Sequence, residues 1–468
     1  MSRAWRPIAV AALLALSASL GQGSAAANRP PPIDPGRLPS GATPAPFEKT
    51  EQKLRCAETA PGGDGPTVPV GQRDLGFTSA WQFTRGAGQL VAVIDTGVAR
   101  HPRLPGLVPG GDYVGTTDGT DDCDVHGTVV AGIIAAAAVD GQGFVGVAPE
   151  ATILSIRQSS RAFQVAGRAE QQREGQTADG YGDIRTLAAA VVRAADMGAR
   201  VINISEVACA TGSLDDRVLG AAVEYAAVAK DVVIVAAAGN TDENCASNPG
   251  LDPLRPTADP WDQVSTIVSP AWYDDYVIAV GSVDSNGAPS QFTVAGPWLD
   301  VAAPGENITS LDPRRSGLTT GTIDDKGRQG VLRGTSFAVP YVSGTAALVR
   351  ARFPQLSARQ VIDRLKATAH APAEGWNPLV GFGVIDPYAA VTADGGTNTV
   401  ARPTMAAKAL PLPGAAAPRD DRPRNIALIG AAAIGGVLVL AILASFPIRR
   451  RLHLSDTNAG AGSGATPS

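Results

Sequence analysis

The sequence predicts an α/β fold, a mostly parallel sheet with helices on both faces, plus one C-terminal transmembrane helix. Three observations carry this. Short apolar runs such as residues 89–94 and 232–237 alternate with helical segments, the pattern of buried parallel strands. Several of these runs end in polar or glycine-bearing turns, where open α/β sheets gather their functional side chains. A run at residues 426–446 contains no charge and is long enough to cross a bilayer as a helix.

Composition sets the outer limits. The chain has 468 residues, 44% of them hydrophobic, enough for one large α/β domain with appendages. A net charge of −5, without a basic patch interleaved with aromatics, argues against a nucleic-acid partner. Residues 1–27 read as a secretory signal peptide: Arg3 and Arg6 precede an apolar run, and Ala25, Ala26 and Ala27 supply a small-residue cleavage site. The second apolar run then stops transfer. The expectation is a single-pass cell-membrane protein, with its bulk extracytoplasmic, a transmembrane helix at 425–447 and a cytoplasmic tail at 448–468. Arginines on both sides of that helix leave its orientation to the signal peptide rather than to a charge count.

In chain order, residues 28–71 are dense in Pro and Gly and have no core of their own, so they are expected to drape over the main domain. The globular part spans 72–390. A short helix is expected at 74–81, and the strand at 89–94 ends in Asp95-Thr96-Gly97. His126-Gly127-Thr128 opens an Ala-rich helix reaching about Val139. Strands at 152–156, 201–205 and 232–237 alternate with helices at 184–197 and 215–229, which argues repeated βαβ units. Residues 157–183 lack periodicity and read as a mobile surface loop. Strands at 276–281 and 299–305 follow, then a polar loop. Gly334-Thr335-Ser336 next leads a small-residue helix, and a last helix is expected at 358–369. The Ala/Pro-rich stretch 391–424 is a linker to the membrane.

The four cysteines, Cys56, Cys123, Cys209 and Cys245, lie in the exported part and read as two disulfides. Consecutive parallel strands tend to be neighbours, and Cys209 and Cys245 follow two such strands. The expected pairs are therefore Cys209 with Cys245 and Cys56 with Cys123.

The chain has four histidines, so candidates for a base are few. His453 falls in the tail, His370 follows a late helix, and His101 precedes a proline in a loop. His126, at a helix start beside a glycine, is the one expected to face a cleft. Asp95 ends a strand, Asn240 follows the strand 232–237, and Ser336 starts a helix whose first N–H groups have no intrahelical partner. Such free donors suit an oxyanion forming beside a serine nucleophile.

The blocks Asp95-Thr96-Gly97, His126-Gly127-Thr128, Ala238-Gly239-Asn240 and Gly334-Thr335-Ser336 together resemble the subtilisin-like serine proteases, whose Asp, His, Ser order they share. The similarity extends to Gly146-Val147-Ala148-Pro149 and to the strands around Asn203 and Asp300. The resemblance implies Asp95, His126 and Ser336 as catalytic residues and Asn240 as the oxyanion-hole amide. It also implies a substrate strand pairing along two edges, the stretch just before Ile184 and Ser205, Glu206 and Val207. Glu206 and Val207 stand where Leu-Gly is usual in the family, and the branched Val207 is expected to narrow the primary pocket towards small residues. The Pro-rich extension with its cysteine, the polar insertion and the C-terminal helix resemble a narrower group, the mycosins of type VII secretion. That resemblance implies association with a secretion membrane complex. Protein or peptide substrates and no cofactor are expected, and because no acidic loop suggestive of a strong calcium site stands out, no required metal is expected either. A mainly structural role in such a complex is the alternative.

Overall fold

The computed structural model describes residues 29–40, 43–167, 175–177, 179–241, 245–252, 254–255, 258–324, 326–394 and 421–453. The expected signal peptide, most of the linker and the end of the tail lie outside them. The chain divides into two units, residues 1–406 and 407–468.

The first unit is organised on seven parallel strands: β1 (Leu90–Asp95), β2 (Val108–Asp112), β3 (Thr152–Arg157), β4 (Val201–Ile204), β5 (Val233–Ala237), β6 (Val277–Val283) and β7 (Leu299–Pro304). Their spatial order is β7-β6-β5-β4-β1-β3-β2. The central strands are mainly apolar on both faces because both are covered. Val91 and Val93 of β1 enter one core, and Ala92 and Ile94 enter the other. The first core holds helices α1 (His126–Ala135), α4 (Thr335–Arg352) and α5 (Ala358–Ala367). The second holds α2 (Ile184–Asp196) and α3 (Arg217–Glu224). The helix α2 starts on a capping box, in which Asp183 accepts from the N–H groups of Arg185 and Thr186.

Some elements differ from the sequence reading. Strand β2 was not expected, because Pro109-Gly110-Gly111 reads as a turn; at a sheet edge a proline costs no ladder bond. The helix expected at 74–81 is instead a helix at Val70–Leu75 and a 3₁₀ turn at Phe77–Gln82, broken where Gly76 turns left-handed. The polar loop before Ser336 contains the antiparallel strands Ser310–Leu311, Leu318–Ile323 and Gln329–Val331. The insertion 157–183 is not a featureless loop: its strand Phe163–Val165 pairs with Thr50–Gln52, and Tyr181 is buried.

The N-terminal segment therefore holds two distant parts of the unit. Thr50–Gln52 pairs with the insertion, while Glu58–Pro61 pairs with Leu318–Ile323. A disulfide joins Cys56 to Cys123, three residues before His126, and a second joins Cys209 to Cys245.

Among the described residues of the second unit, one helix spans Arg422–His453. Its segment Arg422–Ser445 is long and apolar enough to cross a membrane.

Candidate active site

The carboxyl ends of β1, β4 and β5 open on one cleft of about 940 Å³, large enough for several residues of an extended peptide. Its lining includes His126, Ser205, Glu206, Val207, Asn240 and Ser336. Asp95, at the end of β1, is fully buried directly behind His126.

His126 Nδ1 donates to Asp95 Oδ1 at 2.7 Å, the carboxylate being able only to accept. Asp95 Oδ1 also accepts from the Thr96 N–H at 2.7 Å. This bond fixes the tautomer and turns Nε2 towards the cleft. Phe337 packs tilted on the imidazole, with ring centroids 5.0 Å apart.

The glycines of the two blocks allow this approach. A Cβ on Gly127 would lie 2.0 Å from the Gly97 carbonyl oxygen and 3.1 Å from Asp95 Oδ1. Gly97 itself has φ +100°, a region that costs glycine nothing. Behind both blocks sits Asp122, buried and saturated with donors. It accepts from Thr96 Oγ1 at 2.9 Å, Thr128 Oγ1 at 2.6 Å and the Thr128 N–H at 2.9 Å, joining the Asp95 turn to the His126 helix. Val125, just before His126, has φ +75°, an outlier for a β-branched residue that these surrounding bonds hold in place.

Ser336 is the second residue of α4 and is 7% exposed. A Cβ on Gly334 would lie 3.1 Å from Ser336 Oγ and 3.4 Å from Asn240 Nδ2, so hydroxyl and amide face one small space. The Asn240 amide is aimed by its other end. Its Oδ1 accepts from the Thr335 N–H at 2.9 Å and from Thr335 Oγ1 at 3.1 Å, leaving Nδ2 free to donate. The Ser336 N–H, in the first turn of α4, adds a second donor. Among the described residues no hydrogen bond joins His126 to Ser336. Such bonds often tighten only when substrate fills the site.

Ser205 Oγ donates to the Ser336 carbonyl at 2.9 Å and accepts from Asn203 Nδ2 at 2.9 Å. Asn203 Oδ1 in turn accepts from Ser343 at 2.9 Å. Glu206 Oε1 lies 3.6 Å from His126 Nδ1. Val207 packs against both cores. Asp95, His126 and Glu206 present ligand atoms within 4.8 Å of one another, but the one nitrogen among them is already committed to Asp95.

The sequence reading named Ser205, Glu206 and Val207 for their backbone edge and missed what the first two side chains do. It missed Asp122 as well, although that residue stands four before His126. Arithmetic along α4 was the other available signal, since Pro340 stands four residues after Ser336. The remaining histidines lie elsewhere. His101 is buried and its Nδ1 accepts from the Arg103 N–H at 3.1 Å, while exposed His370 sits 3.3 Å from Asp386.

Residues 86–383 match the model of the Subtilase family. Mycosin-4 of Mycobacterium tuberculosis is 49% identical over 98% of this chain and 99% of its own length. The structure of the MycP3 protease from the type VII (ESX-3) secretion system superposes with a TM-score of 0.72 at 49% identity, covering 78% of this chain and 100% of that one. A chain of the intact ESX-5 inner membrane complex gives a TM-score of 0.75 at 45% identity, covering 88% of this chain and 99% of that one.

Proposed function

This chain belongs to the subtilase family, in its mycosin group, and is a subtilisin-like serine endopeptidase; on that premise we propose that Asp95, His126 and Ser336 are its catalytic triad. The observation that carries the reading is the 2.7 Å bond from His126 Nδ1 to Asp95 behind a cleft that Ser336 and Asn240 also line.

Serine is a weak nucleophile until a base removes its proton. Ser336 Oγ attacks the substrate carbonyl carbon while His126 Nε2 takes the hydroxyl proton, and Asp95 stabilises the imidazolium. The oxyanion that forms accepts from Asn240 Nδ2 and the Ser336 N–H, both fixed beforehand. Collapse breaks the C–N bond, and His126 returns its proton to the leaving amine. Water, deprotonated by the same imidazole, then releases the second product from the Ser336 ester.

The substrate lies extended along Ser205, Glu206 and Val207, adding a strand to that edge. Val207 narrows the primary pocket and favours small side chains there. The helix within Arg422–His453 anchors the protein in the membrane with the protease unit outside the cytoplasm. The likeness to a chain of the ESX-5 inner membrane complex supports attachment to a type VII secretion complex. It equally supports a second reading, that the chain stabilises such a complex.

Labelling of the full chain by a fluorophosphonate tests the triad. Label on the wild type and none on Ser336→Ala supports it; equal labelling of both refutes it. Secretion that survives Ser336→Ala but not deletion of the chain establishes the structural role.

A further inference from the structure

Of the acidic side chains that line the cleft outside the triad, Asp124 accepts from Ser160 and the Arg161 N–H and Asp179 pairs with Arg161, which leaves Glu206 without a task. Glu206 follows Ser205, which is bonded to the Ser336 carbonyl, and precedes Val207, which is packed in both cores. Its backbone is thus fixed on both sides, and its Oε1 is held 3.6 Å from His126 Nδ1. Asp95 already accepts the Nδ1 proton at 2.7 Å, so the tautomer needs no second carboxylate. Among the described residues, His126 is the one group within 4 Å of Glu206 that can carry positive charge. Arg161, from the insertion, also lines the cleft but is paired with Asp179 at 3.0 Å.

We propose, resting on the triad reading above, that Glu206 is a positioning residue for His126. It holds the imidazole in its protonated form while the cleft is empty, so that His126 cannot serve Ser336 until the pair gives up a proton.

Charged and titratable groups face this pair from every side. Asp95 comes from the end of β1, Asp122 and Asp124 from the segment before α1, and Arg161 from the insertion, while α4 offers only the Phe337 ring. Burial alone would lower the His126 pKa. The charge and hydrogen bond of Asp95, together with the charge of Glu206, outweigh burial and hold it above the usual imidazole range. Burial raises Glu206 above the usual carboxyl range, reinforced by Asp95 and Asp124 and opposed by His126 and Arg161. Protons therefore leave the two groups in steps that belong to the pair. A neutral side chain at 206 removes one charge that favours the imidazolium, so the pH at which His126 becomes a base falls.

The test is the pH dependence of fluorophosphonate inactivation, using full-length wild type, Glu206→Gln and Glu206→Asp. A small organophosphorus probe reads the Ser336–His126 pair without a peptide strand in the cleft. Glu206→Gln is expected to move the acid limb down by a pH unit or more, making inactivation about tenfold faster at the pH values where Glu206 is ionised and wild-type His126 is still protonated. Glu206→Asp, which keeps the charge, is expected to fall nearer the wild type. A limb that stays in place while the rate changes at every pH means a merely structural role and overturns the inference. If Glu206→Gln does not fold, the His126 ring resonance of Ser336→Ala, titrated by NMR, decides: a midpoint at or below the ordinary imidazole value of about 6.5 refutes the proposal. Wild type that takes no label at any pH overturns the triad reading itself, a result distinct from an unshifted limb.

Discussion

Ser205 Oγ donates to the main-chain carbonyl of Ser336 at 2.9 Å, where the helix has no donor of its own to offer. In an α-helix that carbonyl would accept from the N–H four residues on. That residue is Pro340, which has none. The hydroxyl at the end of β4 fills the gap and ties the Ser336 turn to the sheet.

Ser205→Ala should therefore lower kcat about tenfold with little change in KM, since an orphaned buried carbonyl costs about 1–3 kcal/mol. Adding Pro340→Ala returns an N–H to the helix and should recover most of the loss. Steady-state kinetics of the two single variants and the double variant check this; additive losses would contradict it.

Asn240 presents Nδ2 to the space beside Ser336, because Thr335 donates to its Oδ1 and fixes the amide's orientation. Asn240→Ala should reduce kcat by roughly 10²–10³, a magnitude taken from subtilisin, with KM nearly unchanged. A loss confined to KM would place the amide on substrate binding instead.

Val207 is half-buried at the cleft and packed in both cores. Val207→Gly should enlarge the primary pocket and raise cleavage after aromatic residues at least about tenfold relative to alanine, since each added methylene is worth about 1–3 kcal/mol of discrimination. A peptide library decides. Wild type that already cuts chiefly after large aromatics would rule the narrow pocket out.

The Cys56–Cys123 bridge closes a loop with a sequence separation of 67. Replacing both by serine should cost about 4 kcal/mol in the chain-entropy account. Calorimetry should show a lower Tm. Because Cys123 stands just before the His126 helix, activity should fall before the fold melts.

Much of the fold was legible because local pattern encodes it. Residues 89–94 read as a buried strand for the same reason that β1 is one: both its faces are covered, so positions 90–94 are all apolar. The helix at Ile184–Asp196 showed its amphipathic period, and its Asp183 cap agrees with that start. Strand β2 was hidden by Pro109-Gly110-Gly111, and the strands before Ser336 by their partner, Glu58–Pro61, far back in the chain. Such pairings leave no periodic trace in either segment.

By itself, the order of residues determined the alternation of strands and helices, the family, and which aspartate, histidine, asparagine and serine to consider. Those follow from side-chain type and short-range spacing, which any stretch of chain displays. Only the tertiary structure decided that Asp122 joins two of the blocks, that Ser205 completes the Ser336 turn and that Glu206 reaches His126. Ser205 and Glu206 follow β4 and meet the starts of α4 and α1, and Asp122 joins the turn after β1 to α1; these meetings are set by the sheet order and by the packing of distant segments.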